Sequence, residues 1–248
     1  MEPILTVEKL YKKYENNVVL NNINLSIQKG EFVVVMGKSG SGKTTLLYSI
    51  SGMNRCEGTI LFHQKNLSSL TDLELSQIRL AEMGFIFQYP YLLKNLKVMD
   101  NILLPGFTLK KYPQDEVLKK AKKLLHTMEI PELETNDIDK ISGGQLQRVS
   151  ICRALINEPL ILFGDEPTGA LNLSATKEVM DLINEINKDG TTIVLVTHDV
   201  KVALRADRVI FLEDGTIKSS FKQERYNNTL DLEIREKHLL KWLYECGF

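Results

Sequence analysis

The chain has 248 residues, is 43% hydrophobic and 25% charged, and carries a net charge of −1. Those figures suit one large folded domain, or one domain with a sizeable insertion. The near-neutral charge argues against a general nucleic-acid binder, and no apolar run reaches the eighteen residues of a membrane span. Met1-Glu2-Pro3-Ile4 lacks the charge and apolar length of a signal peptide. Cys56, Cys152 and Cys246 lie too far apart for a zinc or disulfide framework, so packing thiols in a reducing, cytoplasmic setting are expected.

In chain order, Ile4–Glu8, Val18–Ile27 and Phe32–Met36 read as strands, with a turn at Gly30. Residues 37–45 then read G-K-S-G-S-G-K-T-T, between the β-branched run Phe32–Val35 and the helix-competent run Leu46–Ile50. This is the strand–loop–helix setting of a phosphate-binding P-loop. Gly37, Gly40 and Gly42 let the backbone curl around an anion, with Ser39 between them. Their amides and the following helix N-terminus point at phosphates. Lys43 supplies a positive charge to the β- and γ-phosphates, Thr44 is placed to ligate Mg²⁺, and Ser39 and Thr45 join the nucleotide-binding set. Upstream, Tyr11-Lys12-Lys13-Tyr14 offers an aromatic ring that could stack on a purine or lie on the surface.

Further on, Gly58–Phe62 reads as a strand, Thr71-Asp72 caps a helix through Arg79, and Met83–Phe87 is a short strand ended by Gln88 and Pro90. From about 90 to 157 no strand pattern persists, and Pro113 opens a helix with Val117, Leu118, Ala121, Leu124, Leu125 and Met128 on one face. Its acidic first turn and following lysines suit the helix dipole, the lysines forming a solvated face. An inserted helical subdomain follows. Strands resume at Leu160–Phe163, Thr192–Val196 and Val209–Leu212, with a helix over Ala175–Asn187 closed by Gly190. That alternation implies a parallel sheet with right-handed crossovers. Asp214-Gly215 turns a hairpin into Ile217–Phe221. The tail after Gln223, with Leu230, Ile234, Leu239, Leu240, Trp242 and Leu243, reads as a docked C-terminal helix or, alternatively, a partner-binding one.

Two further stretches carry chemistry. The strand Leu160–Phe163 runs into Gly164-Asp165-Glu166: Asp165 is placed to hold Mg²⁺ and Glu166 to polarise an attacking water as general base. Ile141-Ser142-Gly143-Gly144-Gln145 opens a helix through Leu155, another anion-binding terminus with a hydroxyl and close backbone amides.

Here the chain resembles the ATP-binding cassette (ABC) ATPases over roughly residues 4–220, the Ser142–Gln145 stretch matching their signature motif with Ile141 in place of the usual leucine. The resemblance implies an α/β P-loop NTPase fold of ABC ATPase type: a RecA-like core with an antiparallel β-subdomain and an inserted α-helical subdomain. The divisions expected are 1–88, 89–157, 158–222 and a C-terminal extension 223–248. It implies Tyr14 as the adenine-stacking ring, Gln88 as the Q-loop glutamine touching Mg²⁺ and the water, Gly169-Ala170-Leu171-Asn172 as the D-loop, and His198 as the switch histidine at the γ-phosphate. His63, His126 and His238 match no family motif. It also implies ATP and Mg²⁺ as ligands, and a head-to-tail pair sandwiching ATP between one P-loop and the other copy's Ser142, Gly143, Gly144 and Gln145. A separate transmembrane permease would dock near Tyr89–Leu104, placing the protein in the cytoplasm on the inner membrane face, with no nucleic-acid partner. Asn172, where the family usually has aspartate, removes a charge from that interface and puts coupling of the two sites in question.

Met83–Gln88, Asn95–Val98 and Pro167–Leu171 look like the macrolide-export and lipoprotein-release (MacB/LolD-like) subfamily, and the tail Lys241–Glu245 like bacteriocin or antimicrobial-peptide transporters. An amphiphilic peptide, drug or lipid-like cargo is therefore expected. The alternatives are a regulatory, mechanotransmitting ABC ATPase that moves nothing, and a soluble ABC ATPase of DNA repair or translation, which would need long coiled coils or tandem cassettes.

Overall fold

The computed structural model describes residues 3–226 and 232–248; Met1, Glu2 and Leu230 of the segments above lie outside them. The chain forms two compact units, residues 1–75 with 186–248, and residues 76–185.

In the first unit, β1 (Pro3–Tyr14) and β2 (Asn17–Gln28) form a long antiparallel pair with several register shifts, and β1 takes in the Tyr11–Tyr14 segment. After β3 (Phe32–Met36) and α1 (Lys43–Ile50), β4 (Glu57–Phe62) pairs antiparallel with β1, and the two-residue β5 (Lys65–Asn66) with β4. This four-stranded sheet runs in the order β2-β1-β4-β5. It is the antiparallel β-subdomain.

A helix, α2 (Asp72–Glu82), crosses the division between the units. Its start is reciprocally capped: the Thr71 amide donates to Glu74 (2.8 Å) and the Glu74 amide to the Thr71 hydroxyl (3.3 Å).

The second unit holds β6 (Met83–Phe87), α3 (Val98–Leu109), α4 (Gln114–Thr127), α5 (Gly143–Leu155), β7 (Ile161–Asp165) and most of α6 (Leu173–Lys188). The sequence reading opened its helix at Pro113 and passed over α3. Pro105 and Gly106, residues that ordinarily interrupt helices, both lie inside it. Gly106 is where α4 packs, since a Cβ on it would lie 2.5 Å from Val117 Cγ1. The α4 lysines are partly paired: Lys120 meets Glu158 at 2.9 Å and Lys122 meets Glu134 at 3.2 Å. β6 and β7 run parallel with Phe87 opposite Asp165, so both strands fall in this unit with the helices.

Back in the first unit come β8 (Thr192–Val196), α7 (Val200–Ala203), β9 (Arg208–Glu213), β10 (Thr216–Lys222) and α8 (Leu232–Glu245). Within it the strand order is β10-β9-β3-β8, with β3 parallel to both neighbours and β9–β10 an antiparallel hairpin. Every residue of β3 and β8 is buried, as in a strand covered on both faces.

The tail helix is docked rather than free. Arg235, only 9% exposed, donates through Nη1 to Glu224 O (2.6 Å), through Nη2 to Ala206 O (2.7 Å), and through Nε to Leu204 O. Leu239 and Leu243 are buried, and Trp242 stacks on Phe221 with its indole N–H on Ser219 Oγ (3.1 Å). The three cysteines are free thiols, and burial pushes the Cys152 thiol far up. Among the described residues no helix is long and apolar enough to cross a membrane.

Candidate functional site

In the first unit the P-loop leaves the C-terminal end of β3. Because β3 pairs in parallel with β8, Val35 opposite Val196, His198 leaves its strand at the same edge, where α/β sheets bind ligands. His198 is exposed there. Behind it the Thr197 amide donates to Val35 O (3.1 Å), and Thr197 Oγ1 accepts from the Asp199 amide (3.0 Å), fixing the strand exit.

The loop itself depends on glycine. Gly40 and Gly42 sit at φ 80° and 99°, in the left-handed region. A Cβ on Gly37 would lie 2.1 Å from Leu212 O, so that position tolerates no side chain. Gly42 is the N-cap of α1, with Thr44 and Thr45 in its first turn, while Ser39 and Gly40 are exposed at the tip. Lys43 Nζ donates to Gly37 O (2.8 Å) and Lys38 O (2.9 Å), holding the ammonium across the inside of the curl. Tyr14 is 46% exposed; its hydroxyl accepts from Asn54 Nδ2 (3.0 Å), and Lys12 Nζ lies 4.7 Å from its ring.

The second unit brings the other residues together. Phe87 and Asp165 are register partners, so Gln88 and Glu166 step off adjacent strands side by side. Glu166 adopts φ 45°, an uncommon conformation for a residue with a side chain, and its carbonyl accepts from the Gly169 amide (3.0 Å). A Cβ on Gly169 would sit 3.1 Å from Gln88 Nε2, so glycine there lets Gln88 lie against the chain.

In the same unit Ser142 caps α5. Its hydroxyl accepts from the Gln145 amide (3.3 Å), and its own amide donates to Gln145 Oε1 (2.9 Å). Gly143 has open space beside its Cα, whereas a Cβ on Gly144 would crowd the Ala175 methyl at 3.2 Å. Asn172 Oδ1 accepts from the Ala175 amide (2.9 Å), starting α6 without the charge an aspartate would bring. Ser142, Gly143, Gln145, Arg148 and Asn172 line a cleft of about 630 Å³. Arg148 is tied to Glu178 and to Met128 O (2.9 Å).

The ABC transporter family profile matches residues 20–169. The chain belongs to that family. The cassette is 38% identical over 218 residues to the lipoprotein-releasing system ATP-binding protein LolD of Aquifex aeolicus, covering 88% of this chain and 97% of that one. It is 40% identical over 248 residues to the macrolide export ATP-binding/permease protein MacB of Campylobacter jejuni. The match takes in 99% of this chain but 38% of the MacB protein, so the cassette spans about two fifths of that relative. Among solved structures, a dimeric ATP-binding cassette in a post-hydrolysis state with ADP and Pi superposes with a TM-score of 0.83 at 35% identity, over 90% of this chain and all of that one. The fold is that of the ABC ATPases.

The sequence reading passed over two side chains that brace this unit, Gln147 and Arg148. Helical phase carried the signal for the first: Gln147 shares a face with the buried Ser150 and Ile151, where an amide has to find partners.

Proposed function

We propose that the cassette binds Mg-ATP, pairs with a second copy of itself around the nucleotide, and hydrolyses it to drive a separate membrane permease. The observation that carries this reading is a chain with both a P-loop cradle and a capped signature helix, similar throughout to a cassette that is dimeric with ADP and Pi. On nucleotide arrival the Lys43 ammonium exchanges the Gly37 and Lys38 carbonyls for β- and γ-phosphate oxygens. Thr44, Asp165 and Gln88 offer an all-oxygen donor set, the kind magnesium prefers when phosphates complete its shell. Magnesium held there would neutralise phosphate charge. Glu166 accepts the proton of the attacking water, Gln88 orients that water, and His198 donates to the γ-phosphate. Tyr14 stacks on adenine. Ser142, Gly143, Gly144 and Gln145 bind the γ-phosphate held by the other copy, so pairing follows nucleotide binding.

The names of the two relatives, a lipoprotein-releasing system ATP-binding protein and a macrolide export ATP-binding/permease protein, favour an amphiphilic peptide, drug or lipid-like cargo, exported or extracted from the membrane. Tyr89, Tyr91, Leu93 and Leu104 are exposed by 44–69% and offer the permease an apolar surface, with the cassette on the inner membrane face.

The phosphate contact is tested by Lys43→Ala. Loss of a charged hydrogen-bond donor should weaken ATP about 10- to 100-fold in titration calorimetry with fold retained. An unchanged affinity removes Lys43 from the phosphate site.

A further inference from the structure

Gln147 lies in the second turn of α5, five residues beyond Ser142, and is 1% exposed. Its Nε2 donates to Phe87 O (3.1 Å) and to Pro167 O (2.7 Å). Both partners are carbonyls and can only accept, so the amide must present its NH₂ to them. Phe87 is the residue before Gln88, and Pro167 the residue after Glu166. One side chain of the signature helix thus clasps the backbone beside two residues that leave neighbouring strands.

The clasp bears on the conformation of Glu166. A left-handed backbone at a residue with a Cβ costs about 1 kcal/mol or more, and persists only where the surroundings impose it. The Gly169 amide, bonded to Glu166 O, restrains the turn from within. Gln147 restrains it from outside, at the next carbonyl. Released from that bond, the chain after Glu166 is free to relax, and the carboxylate swings with it.

We propose that Gln147 is a positioning residue for hydrolysis: it fixes the exits of β6 and β7 so that Glu166 and Gln88 stand in reacting register. Because it belongs to α5, it also makes that register depend on the seating of the signature helix. Gln147 touches no substrate. The inference rests on Glu166 acting as base in the proposed ATPase.

The test is steady-state ATPase of Gln147→Met, similar in volume but without donors, made alone and with Glu166→Gln. A base displaced by about 1 Å loses up to about 100-fold, so kcat should fall by about 10- to 100-fold while KM for ATP stays within about threefold. In the Glu166→Gln background Gln147→Met should cost clearly less, because the carboxylate it positions is gone and only Gln88 remains to be displaced. A kcat within about twofold of wild type, or equal losses in both backgrounds, overturns the role. If Gln147→Met does not fold, Gln147→Glu keeps the shape, and only its protonated form can donate to a carbonyl. Its kcat relative to wild type should then rise as pH falls from about 8 to about 6; a flat ratio overturns the role. Should Glu166→Gln hydrolyse ATP at the wild-type rate, the base assignment fails and this role with it. An inactive Glu166→Gln beside a fully active Gln147→Met removes Gln147 alone.

Discussion

Glu166→Gln is expected to bind Mg-ATP with near-native affinity and to hydrolyse it about 10²- to 10⁴-fold more slowly, the usual contribution of a positioned base. Glutamine matches glutamate in size and keeps the strand exit after Asp165, so the loss falls on proton acceptance rather than on the fold. With turnover blocked, the γ-phosphate persists and the paired state accumulates; size-exclusion chromatography with light scattering should show a dimer with ATP and a monomer with ADP. Adding Ser142→Arg should abolish that dimer while leaving nucleotide binding to the monomer intact, because the new side chain fills the cleft at the start of α5. Wild-type turnover in Glu166→Gln would exclude Glu166 as base. A monomer under every nucleotide condition would exclude pairing as the response to ATP.

Arg235→Ala should be the most damaging substitution away from the proposed site. Three nitrogens of the guanidinium serve Leu204 O, Ala206 O and Glu224 O. Burial lowers the arginine pKa, an effect opposed by the nearby Asp207 carboxylate. Truncation strands the buried Leu204 O, leaves Ala206 O with Gln223 Nε2 alone (3.2 Å) and turns Glu224 O over to water, at about 2 kcal/mol, and for a chain of this size about 4–8 °C in melting temperature. Arg235→Lys cannot span three acceptors in one plane and should recover only part of the loss. Thermal melts of the two variants against wild type decide it, and a shift below about 2 °C would mean the helix is held by its leucines and tryptophan alone.

Much of this architecture could be read from the residues. β3 and β8 announce themselves as short, wholly apolar β-branched runs, and the loop of residues 37–45 needs its glycines for reasons visible in the letters alone. What escaped the reading depended on neighbours. The helix Val98–Leu109 contains Pro105 and Gly106, and only the close approach of Val117 explains why a glycine is wanted there. Gln147 is an unremarkable polar letter until the carbonyls of Phe87 and Pro167, 60 and 20 residues away in sequence, converge on it. The left-handed turn at Glu166 gave no warning either, since nothing in Asp-Glu-Pro spells a positive φ. Side chains proposed to meet a ligand were the readable ones. Those that set their posture were not.

Trp242 is the only tryptophan in the chain, and it lies on α8 with its ring stacked on Phe221 and edge-on to Phe211. Ultraviolet emission excited in the indole band therefore originates in the C-terminal helix. A red shift of that emission records the helix peeling from the β9–β10 hairpin. The molecule carries its own optical gauge of that one joint.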